Sequence, residues 1–168
     1  DVALKFLSEE ISGNPQMLKM FQREARSAAQ LNHPNIVTVY DMGTLDGRAF
    51  ICMEYVAGET VESLIEKQEK IPVIEALRVI EHVLNALVYA HGRSIIHRDI
   101  KPSNMMRNEL GVVKLMDFGL AKSTEAKAKT TIIAGTPSYM PPEQFTGKDV
   151  DAASDLISVG ASLYEMLA

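Results

Sequence analysis

The residues with the clearest chemistry form one run, His97-Arg98-Asp99-Ile100-Lys101-Pro102-Ser103-Asn104, and thirteen positions beyond its Asn comes Asp117-Phe118-Gly119. Asp99 offers a carboxylate that can take or orient a hydroxyl proton, and Lys101 beside it can neutralise charge on a group in transfer. Asn104 and Asp117 are hard oxygen donors of the kind magnesium selects. These types together equip a site to move a phosphoryl group from a nucleotide triphosphate, a reaction in which catalysis is mostly positioning and charge neutralisation. A single Asn or Asp on a loop usually caps a turn. The weight therefore lies on their order along one chain.

Elements must hold these residues in place. Val2 to Leu7 reads as a short strand, broken at Ser12-Gly13-Asn14-Pro15. From Gln16 to about Leu31 the apolar positions Met17, Phe21, Ala25, Ala28 and Leu31 recur at helical steps, with Asn32-His33-Pro34 as the stop. Ile36 to Met42 and Arg48 to Tyr55 are β-rich runs joined by the connector Gly43-Thr44-Leu45-Asp46-Gly47. Residues 1–55 thus form a strand-helix-strand-strand unit, and 56–168 a second, mainly helical one. In the latter, Val61 to Lys70 and Pro72 to His91 are helices. The second has a broad apolar face of Ile80, Val83, Leu84, Leu87 and Val88 and is expected to be central and buried. Val112 to Met116 reads as a strand leading into Asp117, Lys122 to Lys129 as a mobile loop, and the last helix begins near Ser154-Asp155.

Composition narrows the function classes. With 168 residues, 46% of them hydrophobic, the chain can bury a core. A net charge of -5, with Lys and Arg scattered singly, argues against nucleic-acid binding. The lone Cys52 cannot form an internal disulfide and fits a reducing compartment. No apolar run is long enough to span a bilayer and no signal peptide is visible, so the default location is cytoplasmic. The histidines at 33, 82, 91 and 97 lack metal-ligand spacing, and no Gly-x-x-x-x-Gly-Lys-Ser/Thr loop occurs. A metal-dependent or P-loop hydrolase does not fit.

The ordered set resembles the protein serine/threonine kinases, and the fold this implies is α+β, the two-lobe kinase fold, here incomplete. The resemblance implies an enzyme that transfers the γ-phosphoryl group of ATP, with Mg2+ (or Mn2+), to Ser or Thr hydroxyls of protein substrates. It makes Asp99 the residue that orients the substrate hydroxyl and Lys101 its charge-neutralising neighbour, and it gives the magnesium ions to Asn104 and Asp117. Lys101 in Asp-Ile-Lys-Pro-Ser-Asn resembles the serine/threonine subclass. Val2-Ala3-Leu4-Lys5 matches the strand whose Lys contacts the α- and β-phosphates and pairs with a helix Glu, here Glu24. Ala3 would pack on the adenine, Met53 stand as gatekeeper, the carbonyl of Glu54 and the NH of Val56 read the base edge, and Met106 form the floor. His97 is expected to be structural, its ring beside Phe118.

The resemblance also implies regulation. Arg98 matches the receptor for a phosphate on the activation loop, where Thr130 and Thr131 are the carriers, and Thr136 would position substrate near Asp99 and Lys101. In Gly135-Thr136-Pro137-Ser138-Tyr139-Met140-Pro141-Pro142-Glu143 the family's Ala-Pro-Glu has Pro141 in place of Ala. Glu143 would pair with an Arg outside the chain. Asp155 is open to two readings, an anchor for the catalytic loop or an ordinary helix cap. Ala28-Ala29-Gln30-Leu31-Asn32-His33-Pro34-Asn35-Ile36-Val37 and Pro141-Pro142-Glu143-Gln144 are similar to bacterial members, whose whole proteins often continue into a membrane anchor.

The family's glycine-rich loop precedes the strand Lys, and no Gly-x-Gly occurs here. The chain is thus expected to cover the middle of a catalytic domain, with weak or no activity in isolation. The rival reading is a pseudokinase or scaffold that binds partners without transfer; it predicts loss of Lys5, Asp99, Asn104 or Asp117, and all four are present. A kinase dimer phosphorylating in trans is a partner the resemblance admits.

Overall fold

The computed structural model describes residues 1–118, 137–145 and 150–168. Three antiparallel strands form the first sheet, β1 (Val2–Phe6), β2 (Val39–Leu45) and β3 (Arg48–Glu54), in the order β1-β3-β2. A short α1 (Glu9–Gly13) and then α2 (Pro15–Ala28) lie between β1 and β2. The sequence reading missed α1, because its five residues, capped by Ser8, run straight into the Asn14-Pro15 breaker that dominates the local signal. That breaker starts the next helix. Asn14 Oδ1 accepts from Gln16 N and Met17 N at 3.0 and 3.2 Å, and Pro15 occupies the first turn. Helix α2 ends at Ala28, three residues before the expected Leu31. It buries Met17, Phe21, Ala25 and Ala28; Phe21 and Ala25 join Leu7, Val37, Ala49, Ile51 and Met53 in the first sheet's core, and Ala28 joins the core of the second half.

The hairpin differs from the expected long connector. Strand β2 runs on through Gly43, Thr44 and Leu45, and the reversal is made by Asp46-Gly47 alone, at φ 50° and 78°. Both central residues at positive φ match the right-handed twist of the flanking strands. Ile36 is not in this sheet; it forms a parallel bridge to Leu115 in the second half of the chain.

The second sheet, β4 (Gly58–Thr60), β5 (Met105–Asn108) and β6 (Val113–Leu115), is antiparallel in the order β4-β5-β6. Around it stand α3 (Val61–Gln68), capped by Thr60 onto Ser63 N, and the long α4 (Val73–His91). Helix α4 is central as expected, but its buried face is Ala76, Val79, Ile80, Val83, Ala86, Leu87 and Ala90. Leu84 and Val88 are exposed, because at 100° per residue they lie off that stripe. A short α5 (Pro142–Phe145) and α6 (Ala152–Leu167) complete the described elements. Met166 of α6 accepts the N–H of Ile71 at 2.7 Å, and Ser158 Oγ donates to the carbonyl of Tyr139 at 2.8 Å. Tyr139 also donates its hydroxyl to Glu165, and burial followed by that carboxylate pushes its pKa up. No helix among the described residues is long and apolar enough to cross a membrane.

Candidate active site

Backbone geometry marks two of the residues singled out by sequence. Arg98 and Asp117 both sit at positive φ, 71° and 67°. A non-glycine residue there costs free energy, and such positions persist where surrounding structure over-determines them, commonly at functional sites. The determinant at Arg98 is visible. Asp155, 1% exposed on the first turn of α6, accepts the N–H of His97 at 2.9 Å and of Arg98 at 2.8 Å. Its Oδ2 also lies 2.7 Å from His91 Nε2 at the end of α4. Helix capping falls instead to Asp151, which makes a capping box with Ser154, so Asp155 holds the loop. Ser154 Oγ in turn donates to Glu143, tying the Pro141-Pro142-Glu143 segment to the same helix end.

His97 is fully buried, and burial pushes its pKa below the ordinary 6.5. Its Nε2 donates to the carbonyl of Met116 at 2.9 Å, Nδ1 accepts the N–H of Asp99 at 3.2 Å, and the ring meets Phe118 edge-on at 4.6 Å. Both nitrogens are committed to backbone, which fixes a neutral tautomer and excludes the ring from proton transfer with substrate.

Asn104 closes a one-turn 3-10 helix, Pro102–Asn104, and its Nδ2 donates to the Asp99 carbonyl at 2.7 Å and to Asp99 Oδ2 at 3.0 Å. Lys101 Nζ lies 2.9 Å from the same carboxylate oxygen. The Met116 N–H donates to the Asn104 carbonyl at 3.0 Å, which lashes the loop to the end of β6 and so to Asp117. Across the gap between the two sheets, Lys5 Nζ meets Asp117 Oδ2 at 2.5 Å. Asp99, Lys101, Asn104, Asp117 and Lys5 thus form one constellation.

Glu24 departs from the expected arrangement. Lys5 pairs with Asp117 and, among the described residues, makes no ion pair with Glu24. The Glu24 carboxylate oxygens are buried, and the residue lines a cleft of about 370 Å³ with Ser27, Ile95, Arg98 and Phe118. On the other side of the constellation, Ala3 stands opposite Met53 in the β1–β3 register, and Ala3, Val56 and Met116 pack on the core that contains Met53. Met106 lies on β5, opposite Lys114. Thr130, Thr131, Thr136, Gly119 and the stretch Lys122 to Lys129 lie outside the described residues.

The donor set fits magnesium bound with a nucleotide. Among the described residues no cluster of three or more His, Cys, Asp or Glu could hold a metal alone. Asp117 could offer one carboxylate and Asn104 one amide oxygen, the sparse protein share magnesium takes when phosphates provide the rest.

The sequence reading passed over two residues that shape the site. His91 gave no signal, its partner being 64 positions away. Lys114 sits three residues before Asp117 on an anticipated strand, and its target, the Glu54 side chain, had been read only for its backbone.

Comparison with known proteins agrees with this geometry. The family model described as "Protein kinase domain" matches residues 1–168. Serine/threonine-protein kinase pkn3 of Myxococcus xanthus is 41% identical over 177 residues, spanning 99% of this chain and 32% of that protein. Serine/threonine-protein kinase PknB of Mycobacterium leprae is 40% identical over 174 residues, spanning 99% and 28%. The crystal structure of the Mycobacterium tuberculosis PknI kinase domain superposes with a TM-score of 0.82 at 34% identity, covering 99% of this chain and 63% of that one. The chain therefore spans about a third or less of those two curated relatives. A loop locked at Arg98 by Asp155, a Lys5–Asp117 contact between two sheets, and a family match along the whole sequence agree: the chain belongs to the protein kinase family.

Proposed function

We propose that the whole protein transfers the γ-phosphoryl group of ATP to Ser or Thr hydroxyls of protein substrates, residues 1–55 and 56–168 supplying the two walls of the nucleotide cleft. The observation that carries this reading is the constellation of Asp99, Lys101, Asn104, Asp117 and Lys5, drawn from both sheets and from positions up to 112 residues apart. Asp99 orients the substrate hydroxyl and receives its proton as the hydroxyl oxygen bonds to the γ-phosphorus; the bond from that phosphorus to the β–γ bridging oxygen breaks, and ADP leaves. Lys101, fixed on Asp99, faces the developing negative charge, and Lys5 neutralises the α- and β-phosphates. Asn104 and Asp117 would hold magnesium, which would supply positive charge to offset that of the phosphates. Ala3, Met53, Val56 and Met106 enclose the adenine, with the Glu54 carbonyl and Val56 N–H at its edge.

Arg98 and Glu24 line one cleft beside Phe118, which supports a regulatory role for that side of the site. A phosphate on Thr130 or Thr131 would reach Arg98 there, Thr136 would position substrate, and two copies of the kinase would act on each other in trans. The absence of a long apolar helix in the described residues is compatible with a cytoplasmic catalytic domain.

The test compares the whole protein with its Asp99→Asn variant, measuring phosphate transfer from ATP to a generic protein substrate. A transferase loses turnover by about 10²-fold or more; a scaffold keeps its role and shows no Asp99-dependent transfer. Residues 1–168 alone are expected to show little turnover, and turnover equal to the whole protein's would contradict that.

A further inference from the structure

Two strands from different sheets are joined by one ion pair. Lys114 Nζ lies 2.7 Å from Oε1 and 2.9 Å from Oε2 of Glu54, with the side chains 17% and 24% exposed. Lys114 is the middle residue of β6, and Glu54 is the last of β3. The carboxylate has a second partner, since Glu54 Oε2 accepts the N–H of Thr38 at 3.2 Å. The Glu54 N–H donates to the Thr38 carbonyl at 2.8 Å.

The segment before Thr38 is itself sewn to β6. Val37 N–H donates to the Leu115 carbonyl at 2.9 Å, Leu115 N–H to the Asn35 carbonyl at 2.8 Å, and Asn35 Nδ2 to the Val113 carbonyl at 2.9 Å. The contacts therefore close a ring, from β6 through residues 35–38 to Glu54 and back through Lys114. The backbone route reaches Glu54 through Thr38 and, one residue on, Met53 through Val39. The attachment from Lys114 to the Glu54 carboxylate adds a direct side-chain link between β6 and the end of β3. It is a forked contact on a half-buried carboxylate, stronger than an exposed pair because solvent screens it less.

We propose that Lys114 is a positioning residue for the nucleotide: its pair with Glu54 sets the base-reading edge at a fixed place relative to the strand that delivers Asp117. The proposal rests on the nucleotide-site reading above and assigns the spacing of its two ends to one side chain. Nucleotide then meets a cleft whose adenine end and phosphate end are already in register, so little ordering cost falls on binding. Loss of the pair returns that cost to the binding step. Chemistry on bound nucleotide, which depends on Asp99, Lys101 and the metal ligands, changes little.

The experiment measures KM for ATP and kcat for transfer to a generic protein substrate by the whole protein, with a thermal midpoint for every variant. Lys114→Met is expected to raise KM for ATP about tenfold, the scale of one lost ordering contact, with kcat little changed. Lys114→Arg stays near the unaltered protein. Lys114→Glu or Glu54→Lys alone behaves like Lys114→Met, and the two together restore KM. A lowered thermal midpoint with unchanged KM in the single variants shows a structural role only and overturns the proposal. A rise in kcat at constant KM, which would make the pair a restraint on cleft closure, also overturns it. Should Lys114→Met fail to fold, the Arg variant and the charge swap decide by the same criteria. Absence of transfer by the unaltered protein overturns the nucleotide-site reading and this proposal together, whereas transfer whose constants ignore Lys114 overturns this proposal alone.

Discussion

Lys5 Nζ and Asp117 Oδ2 stand 2.5 Å apart although 112 positions separate them in the chain. One belongs to the first sheet and the other follows the last strand of the second, so the contact spans the gap in which a nucleotide would lie. Lys5 is 45% exposed and Asp117 12%, which leaves the lysine mobile enough to exchange a carboxylate for phosphate oxygens.

Replacing Lys5 by Met tests that exchange. Phosphate transfer by the whole protein is expected to fall by about 10²-fold or more, the scale seen when one donor to developing charge is lost. Stability moves by less than about 1 kcal/mol, since a half-exposed pair is screened by solvent. Turnover and urea midpoint measured side by side check both halves. A large stability loss with preserved turnover would assign the contact to folding.

Gly58 begins β4 where it pairs with β5. A Cβ there would stand 2.0 Å from the Arg107 carbonyl oxygen and 2.8 Å from Asn108 Cα, and neither backbone atom can rotate away. Gly58→Ala must therefore push the strands apart, at about 1–3 kcal/mol. The lowered denaturation midpoint is the readout, and an unchanged midpoint would contradict the close approach.

Asp155 gathers three donors at one buried carboxylate, from His91, His97 and Arg98. Asp155→Ala leaves two backbone N–H groups without an acceptor, at about 1–3 kcal/mol each, and releases the backbone that holds Arg98 at positive φ. Both stability and transfer fall. Asp155→Asn keeps one acceptor oxygen and is expected to be milder on both. Equal effects from the two substitutions would show that volume, not acceptance, is what matters there.

Burial depresses the His97 pKa below 6.5 in the folded chain. A histidine buried as the neutral ring binds its proton more readily when unfolded, so its contribution is intact above 6.5 and is lost as pH falls from there toward the folded-state value. Stability is expected to drop with acidification through that window by up to about 1.4 kcal/mol per pH unit from this group. Denaturation at pH 7.5 and 5.5, for the unaltered protein and for His97→Asn, isolates the term: the variant loses less on acidification. Identical losses would place the sensitivity elsewhere.

How much of this was legible in the sequence follows from the range of each interaction. Helix α4, with its Pro72 start and apolar period, and the residues of the catalytic run are encoded locally, and the sequence reading named them. The Asp46-Gly47 reversal was also written locally, but the glycine at 43 drew attention from it, although β2 passes through that residue. What stayed hidden is long-range. The choice of Asp117 over Glu24 by Lys5, the joining of His91 to Asp155, and the Lys114–Glu54 tie each need partners at least 60 residues apart to be packed first. The two readings of Asp155 could be separated only once Asp151 was seen to take the cap.

The most direct measurement of the central claim is a crystal structure of the whole protein with Mg2+ and a non-hydrolysable ATP analogue. The account predicts Asn104 and Asp117 oxygens about 2.0–2.1 Å from magnesium, Lys5 moved from Asp117 onto the α- and β-phosphates, and the adenine edge at the Glu54 carbonyl and Val56 N–H. Nucleotide bound away from this cleft, or bound in it with Asn104 and Asp117 remote from the metal, would contradict it.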